Sequence, residues 1–326
     1  MYHLSKSKQK SLFLILIILA FPLLFWTCST TKSLQKTKSS EGVTLGAITY
    51  SWRSMSWDAK EILKFCKATG VNSLELMGSV AEDYAGIPPA PPRLRRGTKI
   101  SPEERTSYRK KLAIANEARR KWRIAASMDK FIELRKMYEA AGVDIHIVKF
   151  SPARWTDEEI DYAFNAAKAL GAKGITNEIG LEAAEKLGKF ADKHQLYAIF
   201  HNHLQPGEPG FNFDDYLAFS PMNMLNFDVG HYVGATGKDP NEIIEKYHDR
   251  IISLHLKDKT AKGKKPENKN MPWGTGDTPI TEILQLIQKN NWPIHCDVEL
   301  EYEIPADSDA VKETAKCVAY CKVALQ

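Results

Sequence analysis

The chain has 326 residues, 43% hydrophobic and 26% charged, which supplies enough apolar material for a sizeable core and excludes global disorder. Its net charge of +5 is too mild to imply nucleic-acid binding. That charge is concentrated: Pro88 to Ala125 carries 12 Lys/Arg against 3 Glu, a local +9 within the total of +5, so the remainder is net −4, an ordinary soluble enzyme surface.

At the N-terminus, Lys6, Lys8 and Lys10 precede an apolar run from Leu12 to Trp26, and Cys28 closes the segment. A basic start followed by an apolar stretch too short for a comfortable membrane span reads as a secretory signal. Residues 1–28 resemble a bacterial lipoprotein signal, which implies lipidation of Cys28 and an exported, membrane-anchored protein on the periplasmic or cell-surface side. Phe25-Trp26-Thr27 departs from the small residues that usually precede such a cysteine, so an uncleaved membrane anchor is the alternative. Residues 29–42, rich in Ser, Thr and Lys, read as a tether, and 43–326 as the catalytic domain. Cys66, Cys296, Cys317 and Cys321 show neither metal-finger spacing nor a disulfide framework and read as small buried hydrophobes.

Thr44 to Trp52 alternates Gly46, Ile48 and Tyr50 against Ala47, Thr49 and Ser51, which predicts a first strand. Helical spacing runs from Asp58 to Thr69 and stops at Gly70; Val71 to Gly78 predicts the second strand, with Glu75 near its end. The beat then breaks. Gly86 to Gly97 is Pro-rich and ends in Arg93, Arg95 and Arg96, Ser101-Pro102-Glu103-Glu104 is a capped helix start, and a strongly basic helix follows. We read 79–125 as an insertion after the second strand, either a lid or clamp on an anionic ligand or a solvated helix packed on the rim or on another subunit. A helix from Ser127 to Ala141 restores the pattern. Strands are predicted at Val143 to Phe150, Ala172 to Glu178, Leu196 to His203, Met224 to His231, Arg250 to Asp258 and Pro293 to Glu301. Between and after them, helical segments run from Thr156 to Leu170, Leu181 to His194, Asp239 to His248, Thr278 to Asn290 and Ala306 to Leu325. Eight strand–helix units in strict order predict a (β/α)8 TIM barrel and leave little room for a sandwich or a doubly wound sheet.

In such a barrel the C-terminal strand ends converge on one face. Those ends carry Glu75 on strand two, Lys149 on three, Glu178 on four, and His201 with His203 on five. Strand six supplies Asp228 with His231, strand seven His255 with Lys257 and Asp258, and strand eight Glu299 with Glu301. Side chains alternate between strand faces, so Asn226 shares a face with Asp228, and Ser253 and His255 share one with Lys257. One strand-end histidine is usually a satisfied structural group. Five successive strands ending in carboxylates or imidazoles, groups costly to bury unpaired, point instead to a cation site. Trp52 and Trp273 are candidates for a wall on which a sugar ring stacks, with rim packing as the plainer reading.

Asp-Val-Gly-His at 228–231, His-Leu-Lys-Asp at 255–258, Gly-Thr-Gly-Asp at 274–277 and Glu-Leu-Glu at 299–301 together resemble the sugar phosphate isomerase/epimerase family. These are the xylose isomerase-like barrels of the AP endonuclease family 2 superfamily, which also include endonuclease IV. The resemblance covers the chain from about residue 44 to the C-terminus, apart from the basic stretch. It implies a divalent cation held by a Glu from strand five, an Asp from six, a His from seven and a Glu from eight. Asp228, His255 and Glu299 match the last three. The strand-five position is His201, in His-Asn-His, so Glu178 is taken to replace the missing Glu, with His201 or His203 completing the shell. Such donors suit Mn²⁺, with Co²⁺, Zn²⁺ or Mg²⁺ as alternatives.

The implied chemistry is abstraction of a proton α to a sugar carbonyl, with a metal-stabilised enediolate. Glu299 or Glu178 is the candidate base, His203 and His231 are candidate proton shuttles, and Lys257 holds or polarises an oxygen or forms a structural ion pair. Asp258 and Glu301 are expected to orient the ligands. Export points toward a non-phosphorylated sugar or keto-glycoside, and isomerisation, epimerisation and 3-keto-glycoside elimination share the first step. One rival is an endonuclease IV-like metal phosphodiesterase, which would need additional His ligands where Glu75 and Lys149 stand. The other is a non-catalytic sugar-binding lipoprotein, which would bind without stoichiometric metal. A carbohydrate is the expected partner, a homo-oligomer is admitted, and no nucleic acid is expected. For the N-terminal segment, labelling with radioactive palmitate gives the test: the natural chain is expected to take up label and Cys28→Ser to take up none. A natural chain that stays unlabelled in the membrane would favour the uncleaved anchor.

Overall fold

The computed structural model describes residues 42–326 apart from 57, 93, 95 and 96. The expected signal, the tether up to residue 41, and Arg93, Arg95 and Arg96 of the basic stretch lie outside the described residues.

Eight parallel strands close a barrel. They are β1 Thr44–Ile48, β2 Ser73–Met77, β3 Asp144–Lys149, β4 Gly174–Glu178, β5 Tyr197–His201, β6 Asn223–Asp228, β7 Ile251–Leu256 and β8 His295–Val298. β1 pairs with β8 from Thr44↔His295 to Ala47↔Val298 and with β2 from Gly46↔Ser73 to Ile48↔Glu75, so the sheet has no edge. Alternation then sorts the strands, with one slip each in β3 and β7. Leu74, Val148, Ile175, Phe200, Leu225, Leu254 and Cys296 face the helices and share one core with them. The interior holds a separate apolar plug of Ile147, Ile199, Met224 and Ile252, and register shifts in β3 and β7 put Ile147 and Ile252 there although they share parity with the outer Ile145 and Leu254. Glu75, Thr176, His201, Asn226, Asp228, His255, Asp297 and Glu299 belong to the same inward set and are all buried.

The first strand is shorter than its alternation predicts, because Thr49–Trp52 turns into a 3-10 helix. Trp52 is thereby wholly buried, its ring 5.7 Å from that of Phe65, and it does not form a wall for a sugar. α1 Ala59–Thr69 is capped by Asp58, which accepts from Lys60 N and Glu61 N, and ends at Gly70 with φ +75°. Three helices, α2 Gly78–Ala85, α3 Pro102–Ala125 and α4 Asp129–Glu139, lie between β2 and β3. α4 packs on the barrel through Phe131, Leu134 and Tyr138, whose hydroxyl donates to Ala59 O at 2.6 Å. α3 starts on the expected capping box of Ser101 and Glu104 and buries none of its 24 residues. Its C-terminal end is fastened by Arg123, which donates to Glu82 at 2.7 and 3.1 Å and to Glu159 at 3.0 Å, over the Trp155 ring at 3.8 Å.

The remaining helices follow their strands: α5 Asp157–Ala169, α6 Leu181–His194, α7 Phe213–Leu217, α8 Val229–Thr236, α9 Asn241–Tyr247, α10 Ile280–Asn290 and α11 Ala310–Ala324. Cys66, Cys296, Cys317 and Cys321 are free and buried, as their spacing suggests. Among the described residues no helix is long and apolar enough to cross a membrane.

Because the side chains of Glu82 and Glu159 are only 4% and 8% exposed, Arg123→Ala takes the strongest partner from two buried carboxylates and leaves them weaker bonds, Tyr162 to Glu82 at 3.3 Å and Thr156 to Glu159 at 3.3 and 3.4 Å. It is expected to lower stability by about 3 kcal/mol in urea unfolding, and Arg123→Lys to restore only part, since an ammonium cannot serve both partners as a planar fork does.

Candidate active site

Asp228 ends β6 and begins α8, and this double duty aims it. Its Oδ1 accepts from His231 N at 2.7 Å, while its backbone N donates to Asn202 Oδ1 at 2.9 Å. Oδ2 is left facing the barrel mouth, 2.8 Å from Lys257 Nζ, 3.3 Å from His201 Nε2, 3.8 Å from His231 Nε2 and 3.9 Å from His255 Nδ1. His255, paired in register with Asp228 on one side and Asp297 on the other, is gripped at both ring nitrogens. Nδ1 lies 2.9 Å from Glu299 Oε2, and Nε2 lies 2.5 Å from Glu75 Oε2.

Donor atoms of His201, Asp228, His255 and Glu299, all buried, lie within 4.8 Å of one another, and this quartet could hold a metal ion. Four of the five expected metal residues are thus gathered at one point. Glu178 forms a second group with His201 and His203, its Oε2 3.2 Å from His201 Nδ1 and 3.1 Å from His203 Nε2, and its Oε1 2.9 Å from Lys149 Nζ. His203 is half exposed at the rim. Its ring stacks on that of His231 at 4.8 Å, so the two expected shuttles stand side by side above the quartet.

Charge at this mouth is unbalanced. Among the described residues, Glu75, Glu178, Asp228, Glu299 and Glu301 face three lysines, Lys149 and Lys257 in direct ion pairs and Lys259 farther off. Lys257 is ion-paired to Asp228 at 2.8 Å, Glu299 at 2.6 Å and Glu301 at 2.8 Å, the structural arrangement weighed for it from sequence. Burial alone would discharge this lysine, but the three carboxylates overrule it and hold it firmly protonated. Burial likewise works against charge on His255, yet Glu299 and Glu75 raise its pKa well above the ordinary histidine value. For Glu75, burial is outweighed by His255, and its pKa falls to about 2. His231 goes the other way: burial drives it down to about 3, leaving a neutral ring whose Nδ1 has no hydrogen-bond partner.

The donor set fits a divalent cation. His255 Nδ1, Glu299 Oε2 and Asp228 Oδ2 converge in the buried mouth, and two imidazoles with two carboxylates are the donors that borderline and hard divalent ions take. The surplus of carboxylates over lysines is the charge such an ion would neutralise.

The family model for the xylose isomerase-like TIM barrel matches residues 57–321. The chain belongs to that family. Inosose dehydratases of Clostridium botulinum and Clostridium tetani are 26% and 28% identical over 153 and 152 residues, which are 42% and 41% of this chain. The chain spans about half the length of these curated relatives, 51% and 50%. Among solved structures, the fold is similar to that of the probable 3-DHS dehydratase AsbF of Bacillus anthracis (TM-score 0.57, 13% identity, covering 86% of this chain and 99% of that one). It is also similar to a sugar phosphate isomerase/epimerase of Parabacteroides distasonis (TM-score 0.55, 17% identity, covering 89% and 98%).

In this xylose isomerase-like barrel the four sequence motifs interlock. Asp258 stands outside the quartet and accepts from Gly274 N at 2.9 Å, Gly276 N at 2.8 Å and Thr278 N at 3.2 Å, so it ties down the loop that follows the ribbon of Asp258–Lys259 and Asn270–Met271. Gly276 is required there, since a Cβ would lie 2.2 Å from Asp258 Oδ1. In the same way a Cβ on Gly230 would meet Lys257 Cγ at 2.3 Å. Trp273 packs edge-on to Tyr320 at 5.9 Å. Sequence reasoning placed Glu75 at a strand end without assigning it a role, and gave none to Thr176 or Asn226, which bond its carboxylate at 2.9 and 2.8 Å. The strand parity of Glu75, shared with the other site residues, was the available signal.

Asp258→Ala is expected to speed amide exchange across residues 272–278 by at least about tenfold while the barrel strands keep their protection, read by hydrogen-exchange mass spectrometry.

Proposed function

We propose that this chain is a divalent-metal-dependent enzyme that abstracts a proton α to the carbonyl of a non-phosphorylated sugar or keto-glycoside. The observation that carries the reading is the buried quartet of His201, Asp228, His255 and Glu299 beneath a stacked, solvent-reaching pair of histidines. His201, Asp228, His255 and Glu299 would hold the cation, Mn²⁺ by preference. When bound, it supplies Lewis acidity for a carbonyl and its neighbouring hydroxyl. Glu178 orients His201 through Nδ1 and, with Lys149 on its other oxygen, is itself held in place.

The chain's own residues supply the proton chemistry. Glu299 or Glu178 is the candidate base for the α-proton, and His231 with His203, stacked on it and open to solvent, carries it out or returns it. Lys257, anchored by three carboxylates, presents a fixed positive charge beside the reacting oxygens. Return of the proton gives isomerisation or epimerisation; expulsion of the neighbouring oxygen substituent gives elimination. The dehydratase names among the relatives favour elimination, with loss of water or of an aglycone. The lipid anchor expected at Cys28 belongs to this proposal and would hold the barrel outside the cytoplasm, among free sugars. A phosphodiesterase reading finds less support, because Glu75 and Lys149, at the strand ends where it needs ligands, are engaged by His255 and Glu178.

The test is a panel of free ketoses and 3-keto-glycosides with added Mn²⁺ in D₂O, with products read by NMR. About one tightly held divalent ion per chain is expected by metal analysis after dialysis. Glu299→Gln is expected to lose at least about 10²-fold in turnover. Turnover at the natural rate by Glu299→Gln would overturn the role given to this residue, and substrate binding without stoichiometric metal would favour a sugar-binding protein.

A further inference from the structure

Glu75 has no assigned part in the chemistry above, yet it is among the most tightly held side chains in the barrel. It is wholly buried on β2, 2.5 Å from His255 Nε2. Thr176 Oγ1 donates to one carboxylate oxygen at 2.9 Å and Asn226 Nδ2 to the other at 2.8 Å. The Asn226 amide is fixed in turn, because Ser253 Oγ donates to its Oδ1 at 2.8 Å. Nε2 has two neighbours, Glu75 Oε2 at 2.5 Å and Asn226 Nδ2 at 3.0 Å. The nearer is a carboxylate fed by two donors, which can only accept, and the amide already donates to it, so the hydrogen at this contact belongs to Nε2 of the imidazole. The other nitrogen, Nδ1, then faces Glu299 Oε2 at 2.9 Å and Asp228 Oδ2 at 3.9 Å, two carboxylate oxygens of the same buried donor set.

We propose that Glu75 is the positioning residue that aims His255: by taking the Nε2 hydrogen it reserves Nδ1 for a divalent cation held with Asp228 and Glu299. The inference rests on the cation reading given above. A histidine ligand must present a lone pair, and which nitrogen does so is set by the partner of the other one. Without Glu75 the ring can turn over or place its hydrogen on Nδ1, where it would point into the donor set. Thr176, Asn226 and Ser253 extend the constraint, so residues of β2, β4, β6 and β7 together determine the face of one imidazole.

The experiment is a Zn²⁺ titration of the full chain, with affinity measured by chelator competition and the state of His255 by long-range ¹H–¹⁵N NMR in histidine-labelled protein. In the natural chain, the Zn²⁺-loaded His255 is expected to keep its hydrogen on Nε2 and to bind through Nδ1. Glu75→Gln, of equal size, is expected to bind Zn²⁺ about ten- to a hundredfold more weakly and to lose that pattern. Thr176→Val, close to isosteric and leaving Glu75 in place, guards against misfolding of the first variant and is expected to weaken binding by a smaller factor with the pattern kept. Equal affinity and an unchanged His255 pattern in Glu75→Gln would overturn the assignment alone. Failure of the natural chain to bind any divalent cation would overturn both the assignment and the functional reading beneath it.

Discussion

Closure of a parallel barrel is the constraint on which everything else depends. Once β1 pairs with both β2 and β8, each strand must send every second side chain into a shared interior that has no exit except its two ends. Apolar residues fill part of that space, as Ile147, Ile199, Met224 and Ile252 do. At the C-terminal end the chain places carboxylates and imidazoles instead, and these stay buried only by bonding one another across strands. His255 is the pivot of the arrangement, because its two nitrogens join Glu75 on β2 to Glu299 beyond β8.

This network is costly in isolation. Buried carboxylates demand cations, and the chain supplies fewer lysines than acids at the mouth. Lys257 satisfies three carboxylates at once, and Lys149 satisfies Glu178. The remaining negative charge raises the proton affinity of His255, so the site is electrostatically prepared for a further positive charge. Acids and imidazoles that would destabilise an ordinary core thereby become a group that could hold a metal ion, at the C-terminal end of the barrel.

The same residues also shape their surroundings. Asp228 spends one oxygen on the first turn of α8 and keeps the other for the cluster. Asp258 spends its carboxylate on three backbone N–H groups of the following loop. Gly230 and Gly276 stand where Lys257 and Asp258 leave no room for a Cβ. Motifs scattered along the chain are therefore parts of one packed object.

Much of this was legible in sequence. Alternation and the ordered run of strands and helices were enough for a closed α/β barrel, since period two and period 3.6 are local properties of the backbone. Strand parity also brought His201, Asp228, His255 and Glu299 to one rim, because a strand end is a local feature too. Which acids meet which imidazoles was another matter. Contacts such as Glu75 with His255, 180 residues apart, depend on register and barrel stagger, and no short stretch encodes those. Trp52 shows the same limit from the other side: at the end of a strand it could face the rim or the core, and only the 3-10 turn at Thr49–Trp52 sent it inward. Composition and periodicity determined the barrel and the rim on which its polar groups gather; tertiary closure alone decided how those groups are paired, because pairing is settled by distances across the interior that neighbours in sequence do not feel.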